Sequence, residues 1–425
     1  MGYTPVLLEP YTKSGAVGRY WRRFHDRELE EMMEEGEEKP EIIMACPTYE
    51  KTLEKVKKYS PVLIIPGSDK GIEPATRLSH DLGLPGNPPE CLPKMRNKYT
   101  AQEALKAAGV RCIESETVEE YGDALAFFKR MQKKGKAVVV KPVFGISSMG
   151  VYVCKTENEL KKAFRENKFN RIYTMFNGGT GKVLIQECID GIEYICNSVS
   201  SNGEHRIINA YKYKKRILPG KGKIYHYDLS LGNESPEAKL IAEYQLKVLD
   251  AIGVKYGPVH SEIMIDSDGP VLIEANCRIC GANMKSSFLD EIFGVHDSRI
   301  SLESYLDPDF SLKYKDLFIG KNERFSLIKF PAVKKSTYIK KLKISETFGR
   351  MPEYRYCVCR KNKGFFSETV NLSTSLCTLY FVCKTEEDRE KLIETLADIE
   401  KNRPEEIYES VHIPVVCDIA GNFMA

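Results

Sequence analysis

No apolar run in this 425-residue chain approaches the roughly 20 residues that a helix needs to cross a bilayer. Val62–Ile65 (VLII) is typical of the longest, and no membrane partner is expected. The chain opens MGYTPVLLEPYTKSG, without the basic start and apolar middle of a secretory signal, so the expected location is cytoplasmic. Net charge is only +3, which by itself argues neither for nor against a nucleic-acid partner. The one basic and aromatic run, Tyr211–Arg216 (YKYKKR), is short and reads as a strand of a sheet, either solvated or directing a lysine at phosphates, so no nucleic acid is expected. Cys277 and Cys280 form a lone C-x-x-C with no second pair or ligand-spaced histidines nearby, which favours structural cysteine over zinc. No G-x-G-x-x-G follows the early strands, and no helix opens on Gly-Lys-Ser/Thr. Internal repeats and low-complexity linkers are absent too.

What is present is ordinary for a soluble globular protein: 42% apolar and 29% charged residues, in a length that can hold two to four domains or subdomains. Thirteen cysteines are scattered, mostly in apolar strand-like settings such as Val153-Cys154 and Leu376-Cys377, as reduced core residues would be. The first part alternates short apolar strands (Val6–Leu8, Ile42–Cys46, Val62–Ile65) with helices (Tyr49–Lys58, Glu73–Leu82), which predicts a parallel sheet flanked by helices. The acidic run from Glu28 to Glu38 reads as a solvated face. After Leu306 the texture changes to antiparallel strands (Phe325–Phe330, Arg355–Arg360, Leu376–Cys383) and a helix, Glu386–Ile399, as in a small α+β unit.

Chemistry concentrates in the stretch Tyr256–Gly281, YGPVHSEIMIDSDGPVLIEANCRICG. Two alternating strands are joined by the turn residues Asp266-Ser-Asp-Gly269. Residues two apart share a strand face, so Glu274 and Asn276 point the same way, along with Leu272. If the hairpin closes at the Asp-Gly turn, Glu262 lies across from them. Two carboxylates in one small space repel unless a positive charge separates them, and oxygen-only ligation suits magnesium. A solvated hairpin face accounts for the two glutamates equally well on this stretch alone.

A second chemical stretch is Lys136–Cys154, where a buried strand, Ala137–Val140, ends in Lys141 and leads into the small-residue loop Gly145–Gly150. Such a loop lets backbone N–H groups surround phosphate oxygens, and the lysine can reach the same phosphates. A plain glycine hairpin is the bland alternative. Lys98, at the start of the helix Thr100–Ala108, says little alone. In Val183–Glu193 a strand enters an Asp-Gly bend; an extended backbone there can pair with an adenine edge, and Glu193 can take ribose hydroxyls, although a simple hairpin explains it as well. Thr156–Glu159 reads as a capping box opening a helix to Asn167, and Ser235–Ile252 as an amphipathic helix closed by Gly253.

Taken in order, Lys98, Lys141 with its loop, the strand to Glu193, His260-Ser-Glu262 and Glu274-Ala-Asn-Cys-Arg278 resemble the ATP-grasp superfamily. Within it the likeness is to the carboxylate–amine ligases that include the L-amino acid (dipeptide) ligases; their HTE…GPVLIEVN.R.GG pattern stands here as HSE…GPVLIEANCRICG. The likeness runs from about Ile42 to Leu396. It implies an α/β plus α+β architecture: an N-terminal Rossmann-like pre-ATP-grasp domain (1–93), a small lid subdomain (94–193), a large antiparallel-sheet subdomain with the metal site (194–310) and a C-terminal α+β subdomain (311–425). It further implies ATP and Mg2+, or Mn2+ in its place. Lys98 and Lys141 would hold the phosphates, with Ser147, Ser148 and Gly150 in the phosphate loop. Gln186, Glu187 and Ile189 would line the adenine, and Glu193 would bind ribose. Glu262, Glu274 and Asn276 would hold the metal. Arg278 and Lys141 would act on the transferred phosphate, and Arg278, Gly281, His260 and His226 would meet substrate. The expected activity is ATP-dependent amide formation between a small-molecule carboxylate and an amine through an acyl phosphate. A peptide or natural-product acceptor, or a nucleotide-binding protein without catalysis, remain the alternatives. General frequency makes a homodimer the expected assembly. Cys277 and Cys280 depart from the small or apolar residues usual there, so the pocket is expected to differ in shape.

Overall fold

The computed structural model describes residues 4–9, 40–143, 150–169, 181–218, 222–281, 284–359 and 361–411. Near the N-terminus, strands β1 (Val6–Glu9) and β2 (Glu41–Met44) pair in parallel. The expected third strand does not form. Val62–Ile65 lies between Pro61 and Pro66, which lack N–H donors and restrict the residue before them, and it runs as unpaired irregular chain. The helices Tyr49–Lys57 and Ile72–Asp81 form as expected.

A four-stranded antiparallel sheet follows, from β3 (Ser115–Val118), β4 (Val138–Pro142), β5 (Tyr152–Cys154) and β6 (Val183–Glu187), in the order β3-β6-β4-β5. The helices Tyr121–Lys133 and Glu157–Phe169 cover it, burying Phe127, Phe128, Leu160 and Phe164 against Val138, Val140 and Ile185. The capping box at the second helix is real: Thr156 N donates to Glu159 Oε2 at 2.9 Å, and Glu159 N to Thr156 Oγ1 at 3.3 Å.

The largest sheet has eight strands: β7 (Ile192–Ser201), β8 (Glu204–Leu218), β9 (Gly222–Ser230), β10 (Gly257–Asp266), β11 (Gly269–Asn276), β12 (Phe325–Lys329), β14 (Tyr354–Val358) and β16 (Thr378–Cys383). Their order is β11-β10-β7-β8-β9-β12-β16-β14. Three strands of the C-terminal region thus continue the sheet that carries the hairpin. β13 (Thr337–Leu342), β15 (Gly364–Phe366) and β17 (Tyr408–Val411) form a separate three-stranded sheet.

One face of the eight-stranded sheet is closed by helices. Pro236–Ile252 is capped by Ser235, whose side chain accepts from Ala238 N, and stops at Gly253 with φ +88°. It buries Ile241, Val248, Leu249 and Ile252 against Ile263 and Leu272, each contributing about 1.5–3 kcal/mol. Glu386–Asn402 covers the far end of the same face. The helices Ser286–Phe293 and Asp297–Leu306 cover part of the other face, packing on Ile195, Tyr211 and Val199, and the polar side chains described next stand on the rest of it.

Candidate active site

The geometry of the site turns on a one-residue slip. Counting back from the turn, Asp266 faces Gly269, Met264 faces Val271 and Ile263 faces Leu272. Continuing that register would set Glu262 across from Ile273. Instead Glu262 faces Glu274, Ser261 faces Ala275 and His260 faces Asn276, with Ile273 the extra residue of a bulge. Facing residues share a side of the sheet, so the bulge turns Glu274 and Asn276 onto the side of Glu262. It also corrects the simple alternation: Leu272 points the other way, into the core under the helix Pro236–Ile252.

On the next strand Glu193 faces Met264, two residues along from Glu262, and adds a third carboxylate to this side. Lysines from three other places reach in. Lys98 Nζ lies 2.7 Å from Glu274 Oε1. It opens the helix Lys98–Ala107, whose N-cap Asn97 accepts from Tyr99 N and Thr100 N. Lys215 Nζ lies 2.7 Å from Glu193 Oε2. Lys141, in β4, is 7% exposed. Burial and the nearby Lys98 pull its amine down to about 8 against the opposing pull of Glu274, Glu262 and Glu193. Glu262 is half-buried; desolvation, then Glu193 and Glu274, push its carboxyl up to about 8. This side of the sheet is therefore short of positive charge at Glu262.

Beyond the carboxylates, Arg278 Nε and Nη2 donate to Asp69 Oδ1 (2.8 Å) and Oδ2 (3.2 Å), a two-pronged ion pair. The side-chain amide of Asn276 lies 3.2 Å from both Glu274 Oε1 and Asp69 Oδ1, and with its NH2 turned toward them it donates to both. His260 is buried, and its tautomer is fixed by a chain of partners. Asn209 Nδ2 donates to Asp297 Oδ1 at 2.8 Å, Asn197 Nδ2 to Asn209 Oδ1 at 2.7 Å, and Asn197 Oδ1 meets His260 Nδ1 at 2.8 Å. Nδ1 therefore carries the proton. Burial and the charge of Arg278 hold the ring neutral, its basicity lowered to about 3.

Lys98, Lys141, Glu193, Glu262, Glu274, Asn276 and Arg278 are thus brought together, with His260 alongside. Gly281 is near, and a Cβ there would meet only Arg278 Nη1 at 3.7 Å. The adenine candidates lie at the end of β6. Ile189 packs with Ile113 and Val271 beside Met264 and Ile273. Gln186 donates to Ser115 Oγ, while Glu187 accepts from Glu114 N and pairs with Lys136 at 2.5 Å. Gly150 is needed for its φ of +74° and because a Cβ would come 2.9 Å from Pro142 Cγ. Ser147 and Ser148 lie outside the described residues.

His226 is not brought to the site. A bulge at His226, between Tyr225 and Tyr227, directs it to the helix-covered face. There Nε2 meets Glu400 Oε2 at 3.3 Å, in a cluster with Lys329 and Arg216. That same bulge sets Tyr225 across from Lys215. Sequence reasoning missed Asp69, the first residue of the short 3-10 turn Asp69–Gly71 ahead of the helix Ile72–Asp81. It also missed Lys215 as a site residue, because the run YKYKKR does not single it out among its basic residues; unbroken alternation along β8 sets it on the side of Tyr211 and Tyr213, and the bulge lies in the partner strand. Among the described residues no three His, Cys, Asp or Glu side chains form a metal cluster, Cys277 and Cys280 included. None of the described helices is long and apolar enough to cross a membrane.

Residues 134–286 match the family described as "ATP-grasp domain". The chain contains an ATP-grasp domain. The matched segment holds Lys141, Glu193, Lys215, Glu262, Glu274, Asn276 and Arg278, whereas Asp69 and Lys98 come from outside it. Dapdiamide A synthase of Enterobacter agglomerans is 28% identical over 240 residues, 55% of this chain and 54% of that protein. An L-arginine-specific L-amino acid ligase of Bacillus subtilis is 23% identical over 259 residues, 59% of each. The chain thus spans a little over half the length of these curated relatives. Among solved structures, an L-amino acid ligase from Bacillus licheniformis superposes with a TM-score of 0.68 at 18% identity, covering 86% of this chain and 89% of that one. The biotin carboxylase domain of Hydrogenobacter thermophilus 2-oxoglutarate carboxylase, crystallised with MgADP, gives 0.60 at 16% identity, covering 87% and 81%. The fold is that of ATP-grasp proteins.

Proposed function

We propose that this protein is an ATP-dependent carboxylate–amine ligase, joining an amino acid or amino-acid-like carboxylate to an amine and releasing ADP and phosphate. The observation that carries the reading is the facing pair Glu262–Glu274, with Lys98, Lys141 and Arg278 around it. The relatives named for dapdiamide and L-amino acid ligation support the same class.

The donor set fits magnesium: two carboxylates and an amide are hard oxygen ligands, and Glu262 sits among negative charges with its own carboxyl disfavoured as an ion. Glu262, Glu274 and Asn276 would hold the ion, which supplies charge neutralisation on the triphosphate; Mn2+ has the same ligand preferences. The MgADP complex of a fold neighbour supports this choice.

The chain's own groups do the rest by position and charge. Adenine sits by Ile189 and the backbone of Glu187, with ribose on Glu193. Lys98 and Lys141 hold the phosphates; Lys98 leaves Glu274 for them when nucleotide enters. Arg278, aimed by Asp69, orients the substrate carboxylate as its oxygen attacks the γ-phosphorus and ADP departs. The amine then attacks the acyl carbon, phosphate leaves, and an amide forms. Gly281 leaves room for this approach. We also place Ser147 and Ser148 in the phosphate loop, and the protein in the cytoplasm, in keeping with twelve free cysteines among the described residues.

Incubation with ATP, magnesium and pools of amino acids, followed by phosphate release, tests the reading. Amine-dependent ADP formation that disappears in Glu274→Ala is expected; none with any pool would count against it.

A further inference from the structure

Asp228 lies on β9, in the middle of the same sheet face. It is 4% exposed, and its Oδ1 has no hydrogen-bond partner. A buried polar atom left unpaired in a folded protein calls for a ligand or a reason. The sheet register gives its neighbours. Tyr213 and Ile328 face it from either side, Tyr380 faces Ile328, and Tyr356 faces Tyr380. One row across the sheet therefore runs from a tyrosine, through this carboxyl, to a tyrosine pair stacked at 4.2 Å. Tyr225, turned to this side by the bulge at His226, packs edge-on against Tyr213 at 4.9 Å. Tyr213, Tyr225 and Tyr356 are only partly buried, Tyr356 with Phe288 edge-on at 5.8 Å and its hydroxyl accepting from Lys285 N, so the open surface is that of Tyr213 and Tyr225.

Two strand spacings, about 10 Å, separate β9 from β7 and Glu193, which is the length of an amino-acid-sized molecule. Lys215 is already committed to Glu193 at 2.7 Å and stands over the Tyr225 and Tyr213 rings at 4.4 and 5.5 Å, and Lys285 Nζ stands 5.5 Å over the Tyr356 ring. Burial pushes the Asp228 carboxyl well above its ordinary range, Lys215 pulls the other way, and Glu193 and Glu262 add to the rise, so a cation brought here would restore the carboxylate. A cation satisfies both halves of the environment: the carboxylate pairs with it, and tyrosine faces attract it.

We propose that Asp228 receives the primary ammonium of a substrate built on an apolar or aromatic frame, with the tyrosines as its walls. This rests on the ligase reading above and narrows it, since one of the two joined molecules is then an amino compound recognised through its charge.

The test uses the full chain saturated with ADP and two probes of one shape, phenethylammonium and phenethyl alcohol, titrated by calorimetry. The wild type should bind the ammonium at least tenfold more tightly than the alcohol. Asp228→Asn should lose that preference while keeping its affinity for ADP. Equal binding of both probes, binding of neither, or a preference surviving in Asp228→Asn overturns the assignment. The wild-type comparison decides the matter even if the variant fails to fold. The amino-acid pool assay separates the two readings: probe preference without turnover sinks the ligase and spares the ammonium site, and turnover without preference does the reverse.

Discussion

Glu262 and Glu274 face each other across the hairpin because Ile273 is bulged out of the ladder. Burial first, then the charges of Glu193 and Glu274, push the Glu262 carboxyl up to about 8. A group strained in this way in a folded protein points to a bound cation in the working state. Replacing Glu262 by Gln should therefore cut ADP formation at least about 100-fold. It should leave thermal stability unchanged or raised, because a neutral amide suits that position better than a carboxylate does. Turnover assays and melting curves on the same preparation check both halves.

Asp69 aims Arg278 through two hydrogen bonds. Asp69→Asn keeps the shape and removes the charge that holds the guanidinium. The expected loss is about tenfold in kcat/KM for the carboxylate substrate, matching roughly 1.4 kcal/mol, with affinity for ADP unchanged. Equal losses for ADP and carboxylate would show that Asp69 acts on the fold instead.

Glu400 stands among Lys329, Arg216 and His226 on the helix-covered face. Burial opposes its ionisation, yet hydrogen bonds and charge from those partners hold its carboxyl well below the usual range. Its folded pKa lies below the unfolded one, so the stability it contributes is present above about pH 4.5 and drains away as pH falls further. Glu400→Gln leaves Lys329 buried without its partner and should cost about 3–5 kcal/mol at neutral pH. The variant should also lose part of the acid-side slope. Urea midpoints at neutral pH and near pH 3.5 measure both.

At Gly150 the backbone has φ +74°, and a Cβ would crowd Pro142 at 2.9 Å and Asn167 Oδ1 at 3.1 Å. Gly150→Ala should destabilise by about 1–3 kcal/mol. A fall in Tm without loss of the ADP complex at low temperature is the expected result.

Much of this was legible in the sequence because it rests on local rules. Ser235-Pro236 and Gly253 bracket a helix, Thr156 and Glu159 cap another, and Asp266–Gly269 closes the hairpin. The ordered motifs also named the residues that meet around Glu274. What escaped depends on contacts between distant elements or on single-residue slips. The bulge at Ile273 reverses Leu272 against a period-two reading, and the bulge at His226 sends that residue away from the site while setting Tyr225 across from Lys215. Asp69 is 209 residues from Arg278, and nothing in the short 3-10 turn that it opens announces the pairing. Val62–Ile65 is apolar enough for a strand, but the prolines on each side deny it a ladder.

The central claim is that a substrate carboxylate takes the γ-phosphoryl group before an amine displaces it. Carboxylate substrate labelled with 18O on both oxygens, turned over with ATP, magnesium and an amine, tests this directly by mass spectrometry of the products. One labelled oxygen should appear in inorganic phosphate and none in ADP. Unlabelled phosphate alongside amide, or release of AMP and pyrophosphate, would contradict the account.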